Sequence, residues 1–179
     1  MTVNSRLYDG TKDSNANDIS IIFTNSSFTI NEFVRPAALP KTSNFEIQPG
    51  ARTMVSGFGK TEKNQLSEKL KYVQIRLRKG WFCKNRRNGT FDSEKFLCGI
   101  GREMTPVGHQ DACLFDSGGP LIAKVLNDHN EKKFTLVGIV SSGGGDNPDS
   151  DVFDQCGSYG VYTKVSKYIN FIKDPVHNN

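Results

Sequence analysis

With 179 residues, 36% of them hydrophobic, the chain has material for one ordinary domain or two small ones, and its composition is not that of a disordered tail. A net charge of only +4 gives no support to a nucleic-acid or membrane-surface role, and no apolar run, Leu136 to Val140 included, is long enough to span a bilayer. The four cysteines, Cys83, Cys98, Cys113 and Cys156, contain no Cys-x-x-Cys pair. That spacing argues against a zinc site and leaves three possible connectivities for two disulfides.

From the N-terminus, regular elements are sparse at first. Asn17-Asp18-Ile19 stands ahead of a short apolar strand, and Met1 to Asp9 lacks the apolar stretch of an export signal. Disulfides would place the chain in an oxidising compartment. Either the thiols stay free or the native N-terminus lies upstream of Met1, and the second is the expectation. Residues 25–50 carry Pro36, Pro40 and Pro49 without sustained periodicity and read as a linker, or else as a long surface loop within one domain.

Strand patterns dominate from there. Val73, Ile75 and Leu77 alternate with Gln74, Arg76 and Arg78, the period of a half-buried strand. Phe134 to Val140 is a denser apolar run, and Val161, Thr163 and Val165 alternate again. Glycine turns separate these pieces at Gly57-Phe58-Gly59, Gly143 to Gly145, and Gly157 to Gly160. The pattern predicts an all-β antiparallel sandwich or barrel. Near the C-terminus, Ser166 reads as a cap, and Val165, Ile169 and Ile172 recur at helical spacing up to Lys173.

The chemistry concentrates in Cys113-Leu114-Phe115-Asp116-Ser117-Gly118-Gly119-Pro120. A serine hydroxyl is a poor nucleophile alone and needs a base, an orienting acid and an oxyanion hole. Asp-Ser-Gly-Gly-Pro behind a cysteine resembles the nucleophile motif of the trypsin/chymotrypsin family of serine endopeptidases. Further blocks follow in that family's order. Asn17-Asp18-Ile19 resembles the triad acid, and Phe33-Val34-Arg35-Pro36 with Leu39-Pro40 resembles the linker between two barrels. Val55-Ser56-Gly57-Phe58-Gly59 resembles the opening strand of the second barrel. Gly138-Ile139-Val140-Ser141 and Gly160-Val161-Tyr162-Thr163-Lys164-Val165 resemble the strands that wall the specificity pocket.

The resemblance implies a trypsin-like antiparallel β-barrel with a C-terminal helix: a complete second barrel over residues 51–179, a linker over 25–50 and a remnant of the first barrel over 1–24. It implies a serine endopeptidase acting through an acyl-enzyme on Ser117, with Asp18 orienting a histidine and the amides of Phe115 and Ser117 forming the oxyanion hole. Asp111 would floor the pocket, with Ser141, Gly143 and Gly160 lining it, and select Arg or Lys before the scissile bond. Asp116 would pair with the amino terminus freed by zymogen cleavage, and without that partner would be a costly unpaired carboxylate. Cys83 would pair with Cys98 and Cys113 with Cys156. A third bridge common in the family would need cysteines near Thr53 and Ala123 and is not expected. No metal or organic cofactor is implied. The partners are a protein or peptide substrate, the missing N-terminal half or a protein inhibitor, with no nucleic acid and no membrane, and the full-length parent is expected to be secreted.

Three departures qualify this picture. In the serine-triad template the base precedes the acid by roughly 45 residues, yet only 17 residues precede Asp18. His109, His129 and His177 read as surface histidines, so the chain lacks its general base, and the alternative reading is a non-catalytic pseudoprotease that binds proteins. Phe115 replaces the family's glycine, and its Cβ favours a flipped peptide that would empty half of the oxyanion hole, a loss of about 10²–10³ in rate. Ser142 replaces a common tryptophan, which makes the next subsite less apolar. Lesser features are the basic cluster Arg76, Arg78, Lys79, Lys84, Arg86 and Arg87, read as a solvated face or a polyanion site, and the acidic loop with Asp146, Asp149, Asp151 and Asp154. Asn25-Ser26-Ser27 and Asn88-Gly89-Thr90 fit glycosylation acceptors.

Overall fold

The computed structural model describes residues 2–4, 17–61, 63–87, 89, 91–102, 104–105, 108–126, 130–144 and 156–174. Strands β1 (Thr2–Asn4) and β2 (Ser20–Ile22) pair antiparallel, Val3 opposite Ile21. Residues 23–51 follow without a strand, apart from an isolated bridge at Ala38 to Thr135.

Six further strands close a barrel: β3 (Arg52–Gly57), β4 (Lys71–Arg78), β5 (Phe96–Gly101), β8 (Pro120–Leu126), β9 (Lys132–Gly144) and β10 (Tyr159–Lys164). A small hairpin, β6 (Met104–Thr105) with β7 (Gly108–His109), lies between β5 and β8. Around the barrel the order is β10-β5-β4-β3-β8-β9, every neighbour antiparallel. Closure leaves no open edge around this sheet, which removes a template for aggregation. The predicted all-β barrel is the fold observed.

Alternation makes the core. Val55 on β3, Ile75 and Leu77 on β4, Leu121 and Ala123 on β8, and Val137 on β9 point inward around Tyr162. Each fully buried aliphatic side chain among them contributes about 1.5–3 kcal/mol of transfer free energy. Thr53 and Ala123 face one another across β3 and β8 in the buried interior, so the positions where a third bridge would form hold a hydroxyl and a methyl instead. β10 departs from simple alternation because both of its faces are covered. Tyr162 fills the barrel, while Val161 packs with Cys83, Phe96 and Cys98 beneath helix α1 (Gly80–Arg86).

The C-terminal helix starts differently from the sequence expectation. Val165–Tyr168 form a 3₁₀ turn and only Ile169–Lys173 are α-helical. Ser166 is buried inside that turn and caps nothing, and Phe171 rather than Ile172 is the deeply buried partner of Ile169. The geometry that matters for the site is the length of β9. Its pairing with β8 ends at Pro120 opposite Ile139, and beyond that point β9 continues beside β10 to Gly144.

Candidate active site

Two successive turns shape the segment around Ser117. The Asp116 N–H donates to the Cys113 carbonyl at 3.1 Å, closing a turn whose third residue, Phe115, has φ 72°. The Gly119 N–H donates to the Asp116 carbonyl at 2.9 Å, closing a second whose third residue, Gly118, has φ 82°. A positive φ at the third position alone is the mark of a type II turn. The second turn therefore carries Ser117 exposed at its second position. A Cβ on Gly118 would meet nothing within 4 Å, so backbone conformation and not space selects glycine there.

Phe115 adopts the same left-handed conformation with a side chain, at a cost of about 1–2 kcal/mol. The residue is 70% exposed, with the Lys60 ammonium 5.9 Å from the ring centroid. The flipped Leu114–Phe115 peptide expected from the sequence belongs to a type I turn, with a negative φ at Phe115. The observed φ is positive, so the bulky residue keeps the turn of a glycine and bears the strain.

Asp116 is not the unpaired carboxylate that the sequence suggested. Its Oδ1 accepts from the Gly59 N–H at 2.9 Å and its Oδ2 from the Cys113 N–H at 3.0 Å. Gly57 and Gly59 admit it: a Cβ on either would collide with the carboxylate, at 2.5 Å for Gly59. The glycine pair flanking Phe58, which reads in sequence as a turn, is the seat of Asp116.

Asp18 and its neighbour Asn17 are held from three elements. Ser141 on β9 donates its hydroxyl to Asp18 Oδ2 at 2.8 Å, and Thr163 on β10 donates to the Asp18 carbonyl at 2.9 Å. Tyr168 of the 3₁₀ turn donates to Asn17 Oδ1 at 3.0 Å and accepts from the Asn17 N–H at 3.2 Å. Asn17 has φ 62°, a conformation that asparagine tolerates better than most residues.

The same strand grips the serine turn. The Gly118 N–H donates to the Val140 carbonyl, and the Val140 N–H donates to the Gly119 carbonyl, both at 2.9 Å. Ser117 and Asp18, far apart in sequence, are thus anchored to consecutive residues, Val140 and Ser141. Of the histidines, His129 and His177 lie outside the described residues, and the backbone of His109 pairs with Met104 in the β6–β7 hairpin.

Asp111 lies deep beside this site. Its Oδ1 accepts from the Ala112 N–H at 2.8 Å and from the Tyr162 hydroxyl at 3.3 Å, while its buried Oδ2 has no partner. Burial pushes its carboxyl up from 3.8 to about 7, against the opposing pull of those two hydrogen bonds. The Tyr162 hydroxyl is pushed well up, by burial first and then by the Asp111 charge. Gly143 and Gly160 face one another across β9 and β10. A Cβ on Gly160 would strike the Tyr162 hydroxyl, and one on Gly143 would lie 2.8 Å from the Tyr159 carbonyl. Next along β9, Ser142 accepts a hydrogen bond from Arg87 at 2.8 Å, so a polar pair stands there.

Cys113 is bonded to Cys156, which ties the start of the serine segment to the approach of β10, and Cys83 is bonded to Cys98. These are the pairings the family resemblance implied. Tyr162, Thr163 and Tyr168 contribute to the site without having been singled out in the sequence. Tyr162 and Thr163 stood within the block that resembles a pocket wall, but without a role of their own. The acidic loop at Asp146, Asp149, Asp151 and Asp154 and the Asn88 acceptor lie outside the described residues. Among the described residues, no group of three or more His, Cys, Asp or Glu is placed to hold a metal ion, and no helix is long and apolar enough to cross a membrane.

Residues 2–172 match the family model described as trypsin. The chain is 29% identical over 172 residues to the complement C1s subcomponent of Sus scrofa, covering 91% of this chain and 23% of that protein. It is 32% identical over 170 residues to phenoloxidase-activating factor 1 of Holotrichia diomphalia, covering 92% and 41%. To mannan-binding lectin serine protease 1 of Rattus norvegicus it is 30% identical over 154 residues, covering 83% and 19%. The chain therefore spans between about a fifth and two-fifths of the length of these relatives.

Proposed function

This chain belongs to the trypsin family of serine proteases, and on that premise we propose that it carries the nucleophile, orienting acid and specificity pocket of an endopeptidase that cleaves after arginine or lysine. The observation that carries the reading is the double anchorage on β9, which brings the Ser117 turn and the Asp18 carboxylate to neighbouring residues. Ser117 Oγ attacks the scissile carbonyl carbon and gives its proton to a histidine held by Asp18. The oxyanion is stabilised by the N–H groups of Phe115 and Ser117. Collapse of the tetrahedral adduct passes that proton to the leaving amine, and water then hydrolyses the acyl-serine.

In this reading the base is a histidine that the spacing of the serine-triad template places about 45 residues before Asp18. The unpartnered Oδ2 of Asp111 is the acceptor for a guanidinium or ammonium side chain, a charge-assisted bond in a buried site. Asp116, each oxygen already accepting one backbone N–H, retains lone pairs for the ammonium of an amino terminus released on activation. Two disulfides support an extracellular setting for the parent protein.

The test is cleavage of a peptide library by the protein expressed with whatever native sequence adjoins it. Hydrolysis after Arg and Lys, lost in Ser117→Ala and redirected in Asp111→Asn, is expected. Cleavage that survives Ser117→Ala would refute the assignment, and binding of protein partners without any turnover would favour the pseudoprotease alternative.

A further inference from the structure

In the basic cluster that stands out in the sequence, two arginines share one ring and a third reaches β9. Arg86 lies 3.9 Å and Arg78 5.4 Å from the Phe82 ring, and Arg87 reaches Ser142 on the pocket side. A second cationic group, which takes Arg76 from that cluster, assembles from residues scattered along the chain. Arg52 and Arg76 are directly opposed in the β3–β4 register, and both side chains are exposed. On the other side of β3, Thr53 pairs with Ala123, so Lys124 follows Ala123 as Arg52 precedes Thr53, and it too is exposed. Three cations from three strands thus form one row across the outside of the barrel. None of the three is in an ion pair among the described residues; Lys124 lies over the Phe134 ring at 5.0 Å. Like charges in direct register are destabilising, so this row costs the fold something and nothing in the proteolytic site uses it.

Beside the row is a groove of about 580 Å³ between residues 45–51 and the β8–β9 hairpin. Phe45, Ile47 and Val125 form apolar wall, and Arg52, Lys124 and Lys132 stand around it. Glu46, the acidic residue lining it, accepts from Lys164 at 3.1 Å and lies 3.8 Å from Lys167, so its charge is already matched. An apolar trough rimmed by unmatched cations suits a ligand with both acidic and apolar side chains. A sulfated polysaccharide offers the charge but nothing to fill the trough.

We propose that the Lys124–Arg52–Arg76 row and the adjoining groove bind an acidic peptide segment that inserts an apolar side chain between residues 45–51 and β8. This site is independent of the proteolytic reading, since its residues touch neither Ser117 nor Asp111.

The test uses a short fluorescein-labelled peptide of glutamates interspersed with leucine and phenylalanine, followed by fluorescence anisotropy against the intact protein. Saturable binding is expected, weakened about tenfold or more by Arg52→Glu/Arg76→Glu and little changed by Lys84→Glu on α1. The single variant Arg76→Glu sets a glutamate opposite Arg52, so its melting temperature is expected to hold or rise. Should the reversed pair fail to fold, Arg52→Gln/Arg76→Gln is expected to show the same loss. The proposal is overturned if the wild-type chain does not bind, if Lys84→Glu weakens binding equally, or if an all-glutamate peptide or a heparin oligosaccharide binds as tightly as the mixed peptide.

Discussion

At the scale of single residues, Asp111 and Phe115 make the sharpest claims. Asp111 is raised in the folded chain to about 7 from 3.8, chiefly by burial. The folded state therefore holds a proton that the unfolded chain has released, and stability falls as pH rises between these values and levels off above them. The full effect is on the order of 4 kcal/mol. Asp111→Asn is expected to remove this slope and to stabilise the chain at neutral pH, read as urea midpoints across the pH range. Binding of benzamidinium has the opposite slope: affinity rises about tenfold per unit up to about pH 7 and then flattens, because only the carboxylate attracts the cation. A flat calorimetric profile would separate Asp111 from cation binding. Phe115 is 70% exposed and strained, so Phe115→Gly loses little packing and relieves the left-handed backbone. It is expected to raise stability by about 1 kcal/mol with a less than tenfold change in kcat. A rise of about 10²-fold would mean that the wild-type peptide was flipped after all.

At the scale of elements, the site is a set of loops pinned to β9 and β10, and the Cys113–Cys156 bridge is the pin nearest the serine turn. It closes a segment with a sequence separation of 43, for which chain entropy gives about 4 kcal/mol. Cys113→Ser/Cys156→Ser is expected to lower stability by about that amount and to weaken benzamidinium binding at temperatures where the barrel is still folded. Unchanged affinity would show that β9 and β10 alone hold the pocket. Legibility in the sequence followed the same division. β4 could be read because Ile75 and Leu77 face the core while Arg76 and Arg78 face solvent. The run around Ser117 could be read because its chemistry is local. α1 could not: it begins at Gly80, has no side-chain cap and no acid in its first turn, and buries only Cys83. Its tertiary ties are the Cys83–Cys98 bond and Arg78 of β4, 5.4 Å from the Phe82 ring, while Arg86 stacks on Phe82 within the helix itself. The seat of Asp116 between Gly57 and Gly59 was equally hidden, because a close approach across 57 residues leaves no periodic trace.

At the scale of the whole molecule, the barrel closes on a packed interior, whereas the described segment before it has no interior of its own. Ile22, Phe28 and Phe33 are 72%, 72% and 87% exposed, against the fully packed interior around Tyr162. On the proposed reading, β9 gathers the nucleophile at Val140 and the orienting acid at Ser141, and Tyr162 of the neighbouring strand holds the pocket acid Asp111. The most direct check on that assembly is intact-mass spectrometry of the protein, expressed with its adjoining native sequence, after exposure to an arginyl diphenyl phosphonate. One covalent adduct is expected, mapping to Ser117 and absent from Ser117→Ala. Contradiction would be no adduct, or an adduct on another residue, in a protein whose Asp111 pocket still binds benzamidinium.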